Sequence, residues 1–454
     1  MVTTGERVIV VGAGVAGLAA AYRLNKAGLR VTVLERMGEV GGRMSTHLRD
    51  GYRIDIGASL LPTSYRHMLA LIDEAGLADQ IVPTSSLFGL VRDGNVHRFQ
   101  AGNLKDMLGI PLSARSKVTL LRAVWDCIRL GDKLDWFDLS RAHAADRESA
   151  PEYAVRRLNR EIRDYLVEPT CASMTLNTAE DNSAASFLFF IRRVLATRGL
   201  FNSPSGVAFL PRGLARQIED VRLEATALEV ERTRAGVTVT WRDAHGEQHS
   251  TEAAACVIAL PARQAAQLYR NWTPDQRAFL ESVRYGRCVN VSFALSVPPA
   301  EPACFLLVPR VEQPDLGAIV LEHNKAPGRA PAGRGLVTTY WRQTWSDPRA
   351  DLDDDAIGKA ALDTLAGALP HLLTDVQWTH VQRWSPSIAV NAPGHLSALR
   401  RFVQSVDSGS PVQLAGDYFS GSTTNSSLCS GERAAARVLA SLAKSGAGVS
   451  AIPL

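Results

Sequence analysis

The sequence predicts an α/β protein in which a domain built on a parallel sheet is assembled from separated segments, with an α+β domain inserted between them. A β-branched run, residues 7–11, leads directly into a glycine-rich turn and a helix. Two further apolar runs, 254–259 and 412–415, are typical of buried strands that return to the same sheet. The stretches between these runs show helical spacing first and strand patterns later.

The composition is that of an ordinary globular chain of 454 residues, with 46% hydrophobic and 21% charged residues. It excludes a disordered, collagen-like or coiled-coil protein. No apolar run reaches the ~18 residues of a membrane span, and the opening residues are not expected to act as a signal peptide. The formal net charge of +4 gives little support to nucleic-acid binding. Six scattered cysteines without a CxxC pair indicate a reducing, cytoplasmic location and no metal site.

The glycine-rich turn lies inside one complete βαβ unit that ends at Glu35. Gly12 permits the tight turn, Gly14 the close approach of a pyrophosphate, and Gly17 the packing of helix on strand. At Glu35 a carboxylate accepts hydrogen bonds from ribose hydroxyls and repels the 2′-phosphate of NADP. A lone glycine-rich turn is a weak signal, but strand, turn, helix, strand and acid come here in order. The unit therefore predicts a Rossmann-like dinucleotide-binding domain.

The inserted domain is predicted to have a helical part and an antiparallel sheet. Residues 104–170 are mainly helical, and residues 117–130 carry apolar side chains at helical spacing. Residues 183–200 form an unusually apolar helix; core packing is the favoured interpretation, with a pocket wall as the alternative. A solvated face is the favoured interpretation of its Arg192 and Arg193, with contact to an acidic substrate or a lipid surface as the alternative. The strands of the sheet are expected at residues 289–295, 304–308, 318–321 and 335–341.

These elements divide the chain into two domains. The nucleotide-binding domain is assigned residues 1–90, 205–265 and 378–445, and the substrate-binding domain residues 91–204 and 266–377. Residues 446–454, rich in glycine, serine and alanine, are expected to form a flexible tail.

Three further motifs bear on whether the dinucleotide is NAD or FAD. They are Gly41-Gly42-Arg43, then Asp55-Ile56-Gly57-Ala58-Ser59, and near the end Gly416-Asp417 with Gly431-Glu432-Arg433. With them the chain resembles the GR2-type flavoproteins, the superfamily of flavin amine oxidases, protoporphyrinogen oxidases and carotenoid desaturases. The resemblance implies bound FAD. It implies that the cofactor is held, beyond the first glycines and Glu35, by Gly41, Gly42, Arg43, Gly57, Ala58, Ser59, Val230, Gly416, Asp417, Thr424 and Asn425.

The sequence departs from the amine oxidase pattern at the substrate side. The resemblance places Ser387 and Thr423 where two aromatic rings usually hold the substrate nitrogen, and Asn290 where a lysine lies near the flavin. Pro386 stands where some members attach flavin through cysteine, which implies non-covalent FAD. Asn290, Trp384, Ser387 and Thr423 are the candidates for the catalytic face. Core packing is the alternative for Trp384, and a hydrogen-bonded strand position is the alternative for Asn290.

The sequence therefore predicts an FAD-dependent oxidase or dehydrogenase that removes hydride from a C–N or C–C bond of a mainly apolar small molecule. Molecular oxygen is the expected acceptor, and a tailoring step of secondary metabolism the expected role. A polyene or porphyrinogen desaturase or isomerase is the enzymatic alternative, and a flavin-binding module the non-enzymatic one. A homodimer is left open.

Overall fold

The computed structural model describes residues 5–100, 105–106 and 109–444, and the predicted tail 446–454 lies outside them. The strands are β1 (Arg7–Val11), β2 (Arg30–Leu34), β3 (Thr46–Arg49), β4 (Tyr52–Asp55), β5 (Leu61–Pro62), β6 (Val82–Thr84), β7 (Leu87–Arg92), β8 (Asn95–Gln100), β9 (Leu200–Asn202), β10 (Asp220–Arg222), β11 (Thr226–Arg232), β12 (Val237–Arg242), β13 (Gln248–Ala253), β14 (Ala255–Ile258), β15 (Arg284–Tyr285), β16 (Cys288–Leu295), β17 (Phe305–Leu307), β18 (Leu316–Leu321), β19 (Gly335–Trp341), β20 (Val376–Trp384), β21 (Ala389–Val390) and β22 (Val412–Leu414).

The α-helices within the described residues are α1 (Val15–Lys26), α2 (Arg66–Glu74), α3 (Ala114–Leu130), α4 (Ala150–Arg157), α5 (Arg160–Ile162), α6 (Glu168–Thr175), α7 (Ala184–Ala196), α8 (Phe209–Ala215), α9 (Ala262–Leu268), α10 (Pro274–Ser282), α11 (Glu322–Lys325), α12 (Gln343–Ser346), α13 (Asp354–Ala368), α14 (His395–Ser405) and α15 (Thr424–Lys444). Among them, none has both the length and the hydropathy that crossing a bilayer requires.

The predicted parallel sheet has five strands in the order β10-β2-β1-β14-β22. Four of the five residues of β1 and of β2 are buried, because α1 and other elements cover both faces of the sheet. Helix α15, from the far end of the chain, packs along α1. The three apolar runs of the sequence therefore meet in one sheet, as predicted.

A second sheet of seven strands has the order β20-β16-β19-β18-β17-β7-β8, and it is antiparallel except where β17 runs parallel to β7. The four predicted strands are β16 to β19. The hairpin β7–β8 and the long strand β20 also belong here, so the predicted boundaries at 90/91 and 377/378 cut through β7 and β20. These boundaries are corrected, since β7 pairs with a strand more than 200 residues away, which no local pattern reports.

The apolar helix of the sequence is α7, which begins after Ser183; the Ser183 side chain accepts a hydrogen bond from the Ser186 N–H. Phe187 and Phe189 are fully buried in the core around the parallel sheet. A separate core lies under the second sheet, where Trp341 and Trp345 stack with their ring centroids 4.1 Å apart. All six cysteines are free and buried, and burial raises the pKa of the thiols, for Cys288 to about 12.

Candidate active site

The loops at the ends of the parallel strands and the second sheet line one common cavity, with about 1840 Å³ of empty space including its mouth. Its charged lining residues, within the described chain, are Arg43, Arg193 and Asp417. Aromatic and aliphatic side chains dominate the wall contributed by α6, α7 and the strands β17 to β19. Such a cavity, mostly apolar with a few polar groups, is typical of a small-molecule site.

The glycine-rich turn between β1 and α1 has the geometry that the sequence predicts. Gly12 has a φ of 99°, and a Cβ there would lie 2.6 Å from the Ala259 carbonyl oxygen. A Cβ at Gly17 would lie 1.9 Å from the Gly12 carbonyl oxygen, so helix and turn pack backbone to backbone. A Cβ at Gly14 would meet no protein atom within 4 Å, because that position faces the cavity. Gly14 thus leaves room for a ligand and not for the protein itself.

Glu35 lies at the end of β2 directly beside this turn. Its Oε2 accepts a hydrogen bond of 2.7 Å from the Ala13 N–H, and its Oε1 accepts one of 3.0 Å from the Met37 N–H. The side chain is almost fully buried. Both oxygens keep a further lone pair, so the carboxylate is oriented by the backbone and can still accept from ribose hydroxyls.

The second glycine motif packs against the first. Gly41 donates its N–H to the Ala13 carbonyl at 2.8 Å, and its φ of 115° suits glycine alone. Gly42, with a φ of 53°, faces Gly14, since a Cβ would lie 3.7 Å from the Gly14 Cα. The two motifs therefore form one backbone cradle.

Arg43 and Asp417 meet across 374 residues of sequence. The Arg43 Nη1 donates to the Asp417 Oδ2 at 2.7 Å and to the Ser387 carbonyl at 2.5 Å. Burial alone would lower the pKa of Arg43, but the Asp417 carboxylate outweighs it and raises that pKa. The Tyr285 hydroxyl donates to the other Asp417 oxygen at 3.3 Å. The pair joins both ends of the chain at the cavity.

The segment Gly57-Ala58-Ser59 lines the cavity next to Arg43. A Cβ at Gly57 would lie 2.2 Å from the Arg43 carbonyl oxygen, which also accepts the Ala58 N–H at 2.8 Å. The Ser59 Oγ accepts a hydrogen bond of 2.8 Å from the Lys325 Nζ of the second domain. The segment is therefore held from both sides.

The N-terminus of α15 opens onto the cavity through Thr423 and Thr424. The Thr423 Oγ1 accepts a hydrogen bond of 3.1 Å from the Ser426 N–H and so starts the helix. Gly416 lines the same wall, and a Cβ there would lie 2.4 Å from the Tyr418 ring. The first N–H groups of a helix favour negative charge, which suits an electron-rich ligand edge.

The four candidates for the catalytic face all line this cavity: Asn290, Trp384, Ser387 and Thr423. Asn290 and Trp384 both donate to the Ile56 carbonyl, from Nδ2 at 3.1 Å and from Nε1 at 2.6 Å. The Asn290 Oδ1 is buried and has no protein partner. The Ser387 Oγ lies 3.0 Å from the Cys288 Sγ. An unsatisfied amide oxygen at a cavity wall indicates a ligand group as its partner.

Two residues of the predicted cofactor set have side chains that pack against other parts of the protein and not along the cavity. Val230 is fully buried in the core, and its carbonyl accepts the Arg270 N–H. The start of its strand, β11, lies nearer to Glu35 than Val230 does, since the Glu35 carbonyl accepts the Ala225 N–H at 2.8 Å. Asn425 turns its side chain to α2, where the Oδ1 accepts the Met68 N–H at 3.0 Å. The side chain of Val230 belongs to the core and that of Asn425 to helix packing, so a contact of either residue with the cofactor through its backbone stays a prediction.

The favoured placement of Arg193 on a solvated face is wrong, because this side chain lines the cavity; the alternative, contact with an acidic substrate, stays a prediction. Its guanidinium carbon lies 4.1 Å from the centre of the Trp136 ring and 4.7 Å from that of Phe189. One Nη donates to the Leu134 carbonyl, and the buried Nε has no protein partner. Burial lowers the pKa of Arg193 to about 10, so it keeps its charge at neutral pH. The apolar helix carried no signal that this one charge turns inward.

Four charged side chains with no exposed surface lie behind the cavity wall: Asp55, Glu322, Lys325 and Arg329. The Lys325 Nζ lies 2.7 Å from the Asp55 Oδ2 and 2.7 Å from the Glu322 Oε2. Arg329 contacts the same two carboxylates at 2.5 and 3.0 Å. Because Lys325 also holds Ser59, this buried ion cluster joins the 55–59 segment to the second domain.

The cavity fits FAD at the atoms that the structure shows. The open position at Gly14 and the cradle with Gly41 admit a pyrophosphate, and Glu35 is oriented for a ribose. The Arg43–Asp417 pair and the α15 N-terminus offer donors and acceptors beyond it. The free Asn290 Oδ1 offers an acceptor for an N–H group. Most of the residues predicted from separated motifs thus line or adjoin one cavity.

Comparisons with known proteins show the family to which the chain belongs. The family model for flavin containing amine oxidoreductase matches residues 15–439. Protoporphyrinogen oxidase 2 of Arabidopsis thaliana is 33% identical over 168 residues, which cover 37% of this chain and 32% of that protein. An L-amino-acid oxidase of Sistrurus catenatus edwardsii is 24% identical over 307 residues, covering 62% of this chain and 56% of that protein.

The fold is that of a solved oxidase as well. Cyclohexylamine oxidase from Brevibacterium oxydans IH-35A superposes with a TM-score of 0.75 at 21% identity, over 95% of this chain and 98% of that one. The family match extends over most of the chain and includes both ends of the cavity. The chain belongs to the flavin containing amine oxidoreductases, and its cofactor is FAD, as the sequence predicts.

Proposed function

We propose that the chain oxidises a mainly apolar organic molecule that carries an anionic group such as a carboxylate. One observation carries this proposal. Of the three charged side chains that line the cavity in the described chain, Arg43 and Asp417 neutralise each other, and Arg193 has no carboxylate bonded to it. A desolvated cation beside apolar walls attracts an anion strongly.

The same wall disfavours a cationic amine as substrate. A protonated amine needs a carboxylate or an aromatic cage, and Asp417 already binds Arg43 at 2.7 Å. Ser387 and Thr423 stand where the family resemblance expects the two aromatic rings. The substrate side is instead apolar, with Phe88, Leu176 and Phe305 among its walls. This composition supports an oxidation at a C–N or C–C bond of a molecule whose charge lies elsewhere.

FAD supplies the hydride acceptor when it is bound. The chain's own residues then bind, orient and exclude water. Arg193 holds the anionic group, the apolar walls keep the reacting bond dry, and Asn290 offers its free Oδ1 to the ligand side. We propose that FAD is held non-covalently, because the cavity's one cysteine, Cys288, contacts Ser387 and keeps its proton at neutral pH. We also propose that molecular oxygen is the electron acceptor. The protein is proposed to work in a reducing, cytoplasmic compartment, in a tailoring step of secondary metabolism.

The test uses matched ligands on the FAD-containing enzyme. A panel of apolar aryl and alkyl carboxylic acids and their amides is titrated while the flavin absorbance spectrum is followed. The acids are expected to bind at least tenfold more tightly than their amides, since a charge-assisted hydrogen bond is worth about 1.5–3 kcal/mol. Arg193→Gln removes this preference, and Arg192→Gln, whose partner is the exposed Asp132, keeps it. Equal binding of acids and amides contradicts the proposal.

A second candidate is a desaturase or isomerase acting on a polyene or porphyrinogen. It is favoured by the 33% identity to a protoporphyrinogen oxidase over 168 residues. Oxygen consumption with release of hydrogen peroxide distinguishes an oxidase from a redox-neutral isomerase, which consumes no oxygen. Once a substrate reduces the flavin under anaerobic mixing, the ratio of peroxide to product identifies the reaction.

A further inference from the structure

One face of helix α3 exposes a row of large apolar side chains. Val118, Leu121, Trp125 and Ile128 are 67, 65, 61 and 65% exposed. Their spacing of three, four and three residues puts them side by side on the helix surface. Single exposed apolar residues are ordinary, but four in one row form a contiguous apolar surface, which is typical of an interaction site. These four residues are called the apolar row below.

The apolar row does not result from a loosely packed helix. Ala123 and Cys127 are buried on the opposite face, and the Cys127 Sγ lies 3.4 Å from the Leu188 carbonyl oxygen of α7. The Ser113 side chain accepts the Ser116 N–H at the start of α3. The helix therefore has one apolar face that is already packed and a second one that is not.

Basic residues flank the apolar row. Arg115, Arg122 and Arg129 recur every seven residues along one side of it, and Lys117 lies on the other side. The one acidic residue of α3, Asp126, is buried and bonded to Arg157 at 3.0 Å, with Arg129 at 3.8 Å. Beyond the helix, the exposed Asp132 faces Arg192 at 3.4 Å. The exposed face of α3 is thus apolar in the middle and positive along its edges.

We propose that this face of α3 docks on an anionic lipid surface. A helix with tryptophan and aliphatic residues on one face and arginine and lysine beside them lies in the membrane interface, with the apolar side chains among the acyl chains. The arginines reach the phosphate groups with their long side chains. Each basic residue near an anionic surface strengthens binding roughly fivefold.

Charge also distinguishes this occupant from a second copy of the chain. Two copies that met through the apolar row would bring two rows of arginine to the same contact without opposing carboxylates. An anionic lipid surface offers acyl chains to the apolar row and negative charge to the basic residues that flank it. Helix α7, on which α3 packs, lines the cavity with Phe190, Arg193 and Val194. The docking surface therefore lies one helix away from the cavity, although the docking does not depend on the proposed function.

Vesicle sedimentation tests the proposal with the FAD-containing protein. Vesicles of phosphatidylcholine and phosphatidylglycerol (3:1) are compared with phosphatidylcholine alone, at low and at high sodium chloride. We expect binding to the anionic vesicles to be at least tenfold stronger, and to weaken at high salt. Leu121→Ser with Trp125→Ser, and separately Arg122→Gln with Arg129→Gln, are each expected to weaken it tenfold or more. Leu48→Ser with Val297→Ser, which removes two exposed apolar residues elsewhere, leaves it unchanged.

A second measurement needs only a conservative change. Brominated lipids quench tryptophan that enters the acyl region, and Trp125→Phe should abolish the quenching seen for the unaltered protein. Equal binding to neutral and anionic vesicles, or vesicle binding that ignores the apolar row, overturns the proposal. So does a dimer in gel filtration that Leu121→Ser with Trp125→Ser dissociates, since the row would then serve self-association.

Discussion

The two ends of the cavity are built by different means. At the cofactor end, backbone meets backbone: Gly12, Gly17 and Gly57 each leave less than 3 Å for a Cβ. At the substrate end, apolar side chains from α6, α7 and the second sheet form the wall. Where two backbones approach this closely, only glycine fits. An apolar wall needs side chains of suitable volume, and many apolar residues can supply it. The cofactor end is therefore readable from motifs, and the substrate end is not.

The largest loss of stability is expected when a side chain is introduced at a close backbone contact of the cofactor end. Gly17→Ala puts a Cβ 1.9 Å from the Gly12 carbonyl oxygen, so the free energy of unfolding should fall by about 4 kcal/mol or more. Gly14→Ala is the matched control, because a Cβ at that position meets no protein atom within 4 Å. It should fold normally and lose FAD affinity about a hundredfold. Thermal unfolding and FAD content check both. Equal stability of the two variants would contradict the assignment.

The buried ion cluster lies between the two ends of the cavity. Removing one of its charges should give the second-largest loss of stability. Lys325→Met leaves the Asp55 and Glu322 carboxylates with one cation, so the free energy of unfolding should fall by about 3–4 kcal/mol. Chemical denaturation measures this change. The pair of the half-buried Arg92 with the exposed Asp93 is the control, where Asp93→Asn should change stability by less than ~0.5 kcal/mol.

The same cluster predicts a pH dependence. Burial alone would raise the pKa of Asp55, but Arg329 and Lys325 outweigh it and lower that pKa to about 2. Because this is below the ordinary value of about 3.9 in the unfolded chain, the stabilisation is present above pH ~4 and is lost as the pH falls toward 2. Lys325→Met should flatten this acid dependence. Parallel acid-unfolding curves for the two proteins would argue against it.

A smaller effect is expected at Glu35. Glu35→Gln keeps an acceptor for one of the two neighbouring N–H groups and removes the charge, so FAD should bind about tenfold more weakly while the fold is retained. Fluorescence titration of the apoprotein with FAD measures this. Glu39→Gln, at a half-exposed carboxylate that pairs with Arg212, should leave the affinity unchanged. An unaltered affinity in Glu35→Gln would remove that residue from the ribose.

The smallest effect is expected at the substrate end. Asn290→Ala removes an unpartnered oxygen and one hydrogen bond to Ile56, so turnover should change several-fold with FAD still bound. Ser292→Ala, on the same strand and bonded to Thr338, should leave turnover unaltered. Steady-state kinetics with FAD quantified by absorbance separates the two readouts. Loss of FAD in Asn290→Ala would show that this residue serves the cofactor end.

The parallel sheet and the cofactor end could be predicted from the sequence because their residues follow one another in order or lie in motifs. Arg43 and Asp417 were predicted in this way, and they meet at 2.7 Å. Strand β20 was not predicted in the second sheet, since its partner β16 is distant in sequence. Arg193 looked like any arginine on an apolar helix. The exposed row of α3 had helical spacing, but spacing does not tell a buried face from a free one.

The buried state of all six thiols has a practical consequence. Buried thiols with raised pKa values, including Cys288 at the cavity wall, react slowly with maleimides or nitroxide reagents under mild conditions. A cysteine introduced at position 118 of helix α3 would therefore take up a spin label without prior removal of the native ones. Its power-saturation behaviour with oxygen and nickel chelates would then report the immersion depth of that helix directly.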